Sequence, residues 1–234
     1  MKIHYYIIVF CFLPALSWAQ QSEFQKEFMK MNAQFAGERA IAIKQKYLFY
    51  LDSLNAIPFD SAICIIQKSD KGMTSTFNGV ECFTDSSYVI KLSNPDKFML
   101  VSKNSHPDSM ELTLLFSKGL SSFTKFEKKA IGRGRFIWDL SGGTEGITSM
   151  KIVIDIENFH ILSLLSELAP DHPLLMQFNS KKLGLFHKMF VRTNYDYSKE
   201  LIKLQSQFSD YIQVKNDAVV PSEKYKDYEI QFIK

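Results

Sequence analysis

The spacing of hydrophobic and polar positions changes near residue 59. Before that point Phe24, Phe28, Met31 and Phe35 recur every three or four positions, and Tyr47, Leu48, Leu51 and Leu54 continue in the same manner. This spacing predicts helix from Ser22 to about Leu54. Ser22 is a candidate N-cap, Glu23 sits at the positive end of the helix dipole, Gly37 marks a break between two helices and Pro58 closes the run.

From Phe59 the period becomes two. Ala62 to Ile66 reads as an apolar strand, and Ser69-Asp70-Lys71-Gly72 as a turn. Met73 to Phe83 reads as one strand with Gly79 as a bulge. Tyr88 to Leu92 and Phe98 to Val101 come after it, separated by Asn94-Pro95-Asp96. Short connections of this kind mean antiparallel pairing. Asp108 to Lys118 predicts a second, short helix with Leu112, Leu115 and Phe116 on its apolar face and Gly119 as its stop. Strands are then expected at Phe123 to Ala130 and around Phe136-Ile137-Trp138. A hairpin is expected at Met150 to Ile156 and His160 to Leu168, a loop at Pro170 to Ser180, and strands at Lys188 to Tyr197 and Tyr225 to Ile233. The pattern is α+β: a long curved antiparallel sheet packed on an N-terminal helix and a second short helix.

The first nineteen residues add a destination. Lys2 precedes an apolar stretch, Ile3 to Leu13, then Pro14 and a small-x-small close at Ser17-Trp18-Ala19. Residues 1–19 read as a signal peptide, cleaved near Ala19, and 20–234 as a single domain that is exported to the periplasm or secreted. No small residue stands before Cys11 in Ile8-Val9-Phe10, so Cys11 reads as part of the apolar stretch and no stable membrane anchor is expected. The composition is globular, with 46% hydrophobic residues, 23% charged and 20 Phe. A net charge of +3 without an Arg/Lys stripe gives no reason to expect nucleic acid. Cys64 and Cys82 remain after the signal. An oxidising compartment permits a disulfide between them, and two buried free thiols are the alternative.

The order of elements resembles the periplasmic lipoprotein-carrier superfamily (LolA/LolB/LppX-like). The likeness runs through the N-terminal helix, Phe77-Asn78-Gly79, Tyr88-Val89-Ile90-Lys91, Asn94-Pro95-Asp96-Lys97-Phe98 and the Met150 to Leu168 hairpin. The chain is also similar to uncharacterised envelope proteins of Bacteroidetes, which close on a tail like Pro221-Ser222-Glu223-Lys224-Tyr225-Lys226-Asp227-Tyr228. The apolar loop over the carriers' cavity and a counterpart of Asn179 to Phe190 are not identifiable. The resemblance implies a half-barrel, a bent antiparallel sheet around helices that can hold an acyl chain, with a lipid or lipoprotein as partner.

Catalytic chemistry is not legible. His106, His160, His172 and His187 lack a metal-ligand spacing, and no Gly-x-Ser-x-Gly elbow appears. Gly132-Arg133-Gly134-Arg135 could grip an anion but reads better as a hairpin turn. Ser141-Gly142-Gly143-Thr144-Glu145-Gly146 lacks the phosphate-loop lysine and reads as a loop. Asp155 and Glu157 share a strand face beside a turn. The apolar set is the stronger lead. Phe28, Phe35, Phe77, Phe98, Phe116, Phe136 and Trp138 form either a packed core or, in a half-barrel, the lining of an apolar groove. The reading is a non-catalytic periplasmic protein, without a cofactor, that binds a lipid, a lipoprotein or an apolar segment. The alternative is an envelope-complex scaffold or interaction protein with no ligand cavity, whose partner is another envelope protein.

Overall fold

The computed structural model describes residues 3–52, 54, 57–104, 120, 122–144, 146–176, 186–197, 207–215 and 218–233, and only the backbone of residues 3–19, 214, 215 and 218. The predicted helix at 108–118, with Phe116, and His106 lie outside these residues.

Helix α1 spans Ile3–Gly37. It runs through Ser22, which is therefore inside the helix and not its N-cap. Phe24, Phe28, Met31 and Phe35 are all buried, as one apolar stripe requires. The helix ends at Gly37, seventeen residues before the predicted Leu54. The chain then continues as strand β1, Ile41–Leu51. Ile41 and Ile43 are β-branched and favour extended backbone. Ile41, Ala42 and Ile43 are all buried, so this stretch is covered on both faces. A doubly covered strand loses the simple alternation that would distinguish it from a helix.

The other strands are β2 (Asp60–Ser69), β3 (Gly72–Phe77), β4 (Val80–Thr84), β5 (Tyr88–Ser93), β6 (Phe98–Lys103), β7 (Lys125–Ala130), β8 (Arg135–Ser141), β9 (Ile147–Asp155), β10 (Ile161–Leu168), β11 (Met189–Asp196), β12 (Ile212–Lys215), β13 (Ala218–Pro221) and β14 (Glu229–Ile233). Twelve of them form one open sheet in the order β14-β6-β5-β4-β3-β2-β1-β11-β10-β9-β8-β7, and β12 and β13 form a separate two-stranded sheet. Strand β14 joins β6 in parallel. Two further expectations change. The predicted single strand from Met73 to Phe83 is a hairpin, because Asn78 (φ 50°) and Gly79 (φ 80°) both adopt the left-handed backbone that a two-residue turn needs. The expected loop after Pro170 contains a helical turn at 173–176. The sheet-plus-helix, α+β architecture is otherwise the expected one.

The chain forms two compact units. The first comprises Met1–Gln34, Leu48–Ser61 and Thr113–Asn194, and the second Phe35–Tyr47, Ala62–Leu112 and Tyr195–Lys234. In the first unit, alternation along β8 puts Phe136, Trp138 and Leu140 inward. They stand opposite Ile154, Ile152 and Met150 of β9. Helix α1 lies on this face. The Phe24 ring meets Trp138 edge-on at 5.2 Å and Phe126 at 5.4 Å. A second cluster joins Leu168, Leu175 and Met189 to Phe49, Leu51 and Phe59.

In the second unit, one face of β4–β6 buries Phe83, Ile90, Leu92, Met99 and Val101. The segment after residue 207 covers it. Tyr211 packs at 5.1 Å on Phe83 and stacks at 5.8 Å on Tyr225, and Phe208 stacks on Tyr88 at 4.6 Å. The Tyr211 hydroxyl donates to Glu81, which gives the phenol a partner at the sheet surface.

Candidate functional site

Side chains alternate across a strand, so residues between the buried ones point to the opposite face. On that opposite face of the second unit the registers Cys64↔Phe77, Ile66↔Ser75, Ser75↔Cys82, Cys82↔Lys91 and Lys91↔Leu100 align the side chains of Cys64, Ile66, Phe77, Cys82 and Leu100. Val80, Val89 and Phe98 share this face. Its character differs from the sealed side. Ile66, Met73, Cys82, Val89, Phe98 and Leu100 are half-buried, and Phe77 and Val80 are each 43% exposed. Apolar side chains, interrupted by Ser75 and the exposed Lys91, therefore form a partly open surface on this sheet.

One border of this face is aromatic and polar. Tyr47 meets Phe77 edge-on at 6.1 Å and donates from its hydroxyl to the Gln45 amide oxygen at 2.6 Å. Gln45 is buried. Burial, and secondarily the neighbouring Cys64, pushes the Tyr47 phenol up to about 12. Tyr195 is raised further, chiefly by burial and then by Tyr47. Both phenols therefore stay protonated and act as neutral hydrogen-bonding groups. Phe35, at the end of α1, packs with Ile41, Ile43, Ile66, Met73, Tyr195 and Tyr197. The nearby Lys68 donates to the carbonyls of Phe35 (2.7 Å) and Ala36 (2.8 Å) and lies 5.0 Å from the Phe35 ring. Its ammonium thus caps the last turn of the helix, where carbonyls lack intrahelical partners.

The predicted groove residues separate into two groups. Phe77 and Phe98 lie on the half-open face, with Phe35 packed at its β2–β3 side. Phe28, on the buried stripe of α1, and Phe136 and Trp138, beneath that helix, lie in the core of the first unit, with Phe28 stacked on Phe24 at 6.0 Å. Phe116 is outside the described residues. Sequence reasoning missed Gln45, Tyr47, Val89, Leu100 and Tyr195. The alternation of Tyr195 and Tyr197 near the end of β11 was the available signal.

Sequence reasoning also missed the polar anchor of α1. Glu27 accepts from the Trp138 indole N–H at 2.7 Å and pairs through its other oxygen with Lys128 at 2.5 Å. Lys128 also pairs with Glu23 at 2.9 Å and lies 4.7 Å from the Phe136 ring. The partners are 111 residues apart in sequence for Glu27 and Trp138, so no local motif announces them.

Cys64 and Cys82 are free thiols in this structure. Strand β3 lies between theirs, so two inter-strand spacings, about 10 Å, separate them. A disulfide needs Cα atoms within about 7 Å. Burial raises both thiols above their ordinary range. The Gly132 to Arg135 segment is the β7–β8 turn. Gly142 and Gly143 serve the β8–β9 connection by close approach, since a Cβ on Gly143 would lie 2.0 Å from the Ile147 carbonyl oxygen. The Asp155 carboxylate accepts from the backbone N–H groups of Glu157 and Asn158, so it shapes a turn. Among the described residues, His, Cys, Asp and Glu form no group able to hold a metal ion, and no helix is long and apolar enough to cross a membrane.

No family model and no curated protein matches the sequence. Among solved structures, the chain is similar to an uncharacterised conserved protein from Thermus thermophilus. That likeness has 8% identity and a TM-score of 0.42 over 80% of this chain and 96% of that one. It is similar to the Mycobacterium tuberculosis lipoprotein LppX at 12% identity and a TM-score of 0.33, over 74% and 94%. The structural neighbours also include a LolA superfamily protein from Nitrosomonas europaea, at 8% identity and a TM-score of 0.29, over 74% and 90%.

Proposed function

We propose that this protein is a non-catalytic carrier of the cell envelope that binds a lipid, a lipoprotein or an apolar segment on the half-open face of the second unit. The carrying observation is the asymmetry of that sheet. One face is sealed by Tyr211, Ile212 and Tyr225, while the other leaves Phe77, Val80, Val89, Phe98 and Leu100 partly in water. Burying such a surface under an apolar ligand releases about 25 cal/mol for each Å2 removed from water. Tyr47, whose hydroxyl proton is given to Gln45, keeps its oxygen as a neutral acceptor, and Tyr195 adds a second neutral phenol at the border, so the same face can also meet an uncharged polar group on the cargo. The signal-like sequence of residues 1–19 is in keeping with the reading, and cleavage after Ala19 would place Gln20 at the mature N-terminus.

Native mass spectrometry and lipid extraction of the protein purified from its own envelope test the proposal. Bound lipid or acylated peptide is expected, with loss of that mass in Val89→Asp and Leu100→Asp variants that keep the fold. Wild-type protein that carries nothing and takes up no fluorescent acyl probe would overturn it. N-terminal sequencing of the exported protein tests the destination, and an intact Met1 would refute cleavage.

A further inference from the structure

Two hairpin tips of the first unit meet. The β7–β8 turn closes through the Ile131 N–H donating to the Arg135 carbonyl at 3.1 Å, with Gly132 (φ 69°) and Gly134 (φ 75°) in left-handed backbone. The β9–β10 turn closes through the Asp155 N–H donating to the His160 carbonyl at 2.9 Å. The Ile156 N–H then donates to the Gly134 carbonyl at 2.9 Å and ties one tip to the other. The joined tips present Ile131, 40% exposed, and Ile156, 46% exposed. Arg133 and Arg135 are exposed beside them.

The neighbouring lysines differ from these arginines. Lys129 pairs with Glu127 at 2.8 Å, and Lys128 pairs with Glu23 and Glu27. Among the described residues, neither Arg133 nor Arg135 has an ion-pair partner within salt-bridge distance. Asp155 stands opposite Arg135 in the register, but one of its oxygens is held by two backbone N–H groups of its own turn. Glu157 is an exposed acid on the same tip.

We propose that these joined tips dock the protein onto an anionic phospholipid surface. The two isoleucines enter the boundary between headgroups and acyl chains, and the two guanidiniums bind lipid phosphates bidentately. Charge and apolarity together select this occupant. A neutral apolar partner has no use for two unpaired guanidiniums, and a soluble anion has none for two exposed isoleucines. The tips are short, backbone-tied hairpins, so docking orders little extra chain. This proposal does not rest on the carrier reading, because cargo is measured separately.

The test is co-sedimentation with phosphatidylcholine vesicles with and without 30% phosphatidylglycerol (about one lipid in three). Wild-type and variant chains carry the same N-terminus, so differences between them isolate the tips. Wild type is expected to sediment with the anionic vesicles in a salt-sensitive manner. Arg133→Ser/Arg135→Ser should weaken binding about tenfold or more, since each basic residue near such a surface contributes about 1 kcal/mol. Ile131→Ser/Ile156→Ser should also weaken it, and Glu157→Gln should strengthen it. All substitutions lie at exposed positions, and unchanged circular dichroism establishes that the fold persists. Equal binding to neutral vesicles, or unchanged binding in the arginine variant, would overturn the proposal. So would full competition by inorganic phosphate with no effect of the isoleucine variant, which would indicate a simple anion site. Retained cargo in a variant that no longer sediments would separate docking from carriage.

Discussion

The first unit covers its sheet with a helix, and the second covers its sheet with a tyrosine-rich segment on one side only. Under α1, Trp138 is wholly buried and its indole N–H is satisfied by Glu27. In the second unit, Phe83, Ile90, Leu92, Met99 and Val101 are wholly buried, but the alternate residues of the same strands are not. The difference teaches that one strand sequence can support both a core and a partly exposed apolar face. Period-two alternation separates the roles, and the covering element decides which face becomes core.

The strongest way to break this contrast is at the helix-covered core. Trp138→Ala should destabilise the protein by about 3–5 kcal/mol, because it leaves a large cavity and removes one of the partners of Glu27. Urea unfolding measures it, and a loss below about 1 kcal/mol would mean that α1 does not rest on Trp138. Glu27→Ala should cost less, about 1–3 kcal/mol, by leaving the indole N–H unpartnered. A near-zero effect would show that water replaces the carboxylate. The corresponding change in the second unit, Tyr211→Phe, removes one hydrogen bond to Glu81 and keeps the ring stack. About 1 kcal/mol is expected in the same assay.

The half-open face should show the smallest stability effect. Val89→Ser should change stability by less than about 1 kcal/mol, because the site is already partly in water. A larger loss would show that something covers this face in solution. The thiols sharpen the comparison through pH. Burial raises Cys64 and Cys82, so the reactive thiolate is scarcer at pH 8 than for an ordinary cysteine and grows only as pH rises through the elevated range. Alkylation of the folded protein should therefore be slow at pH 8 and accelerate toward pH 10. Reaction at the rate of free cysteine would contradict burial.

Much of the fold was legible. The stripe Phe24-Phe28-Met31-Phe35 marked α1, and the alternating runs marked most of the strands. Errors arose where local signals were ambiguous. Ile41 to Leu51 is covered on both faces at its start, and its apolar positions fit a helix as well as a strand. Gly79 suggests a bulge because the flanking runs are both strand-like, although the Asn78-Gly79 pair favours a two-residue hairpin. The candidate site was legible only in part. Phe77 and Phe98 carry a visible apolar signal, but Phe28, Phe136 and Trp138 carry the same signal and are buried where α1 meets the sheet.

By itself, the amino-acid order determined the period of most segments and hence the α+β class and the faces of most strands. Side-chain period is a local consequence of backbone geometry. Only the tertiary structure decided which face is sealed, that Glu27 satisfies Trp138, that Cys64 and Cys82 stand apart across β3, and that the tips bearing Ile131 and Ile156 meet. These outcomes depend on pairings between residues distant in sequence, and such pairings are set by packing and register, which no local window contains.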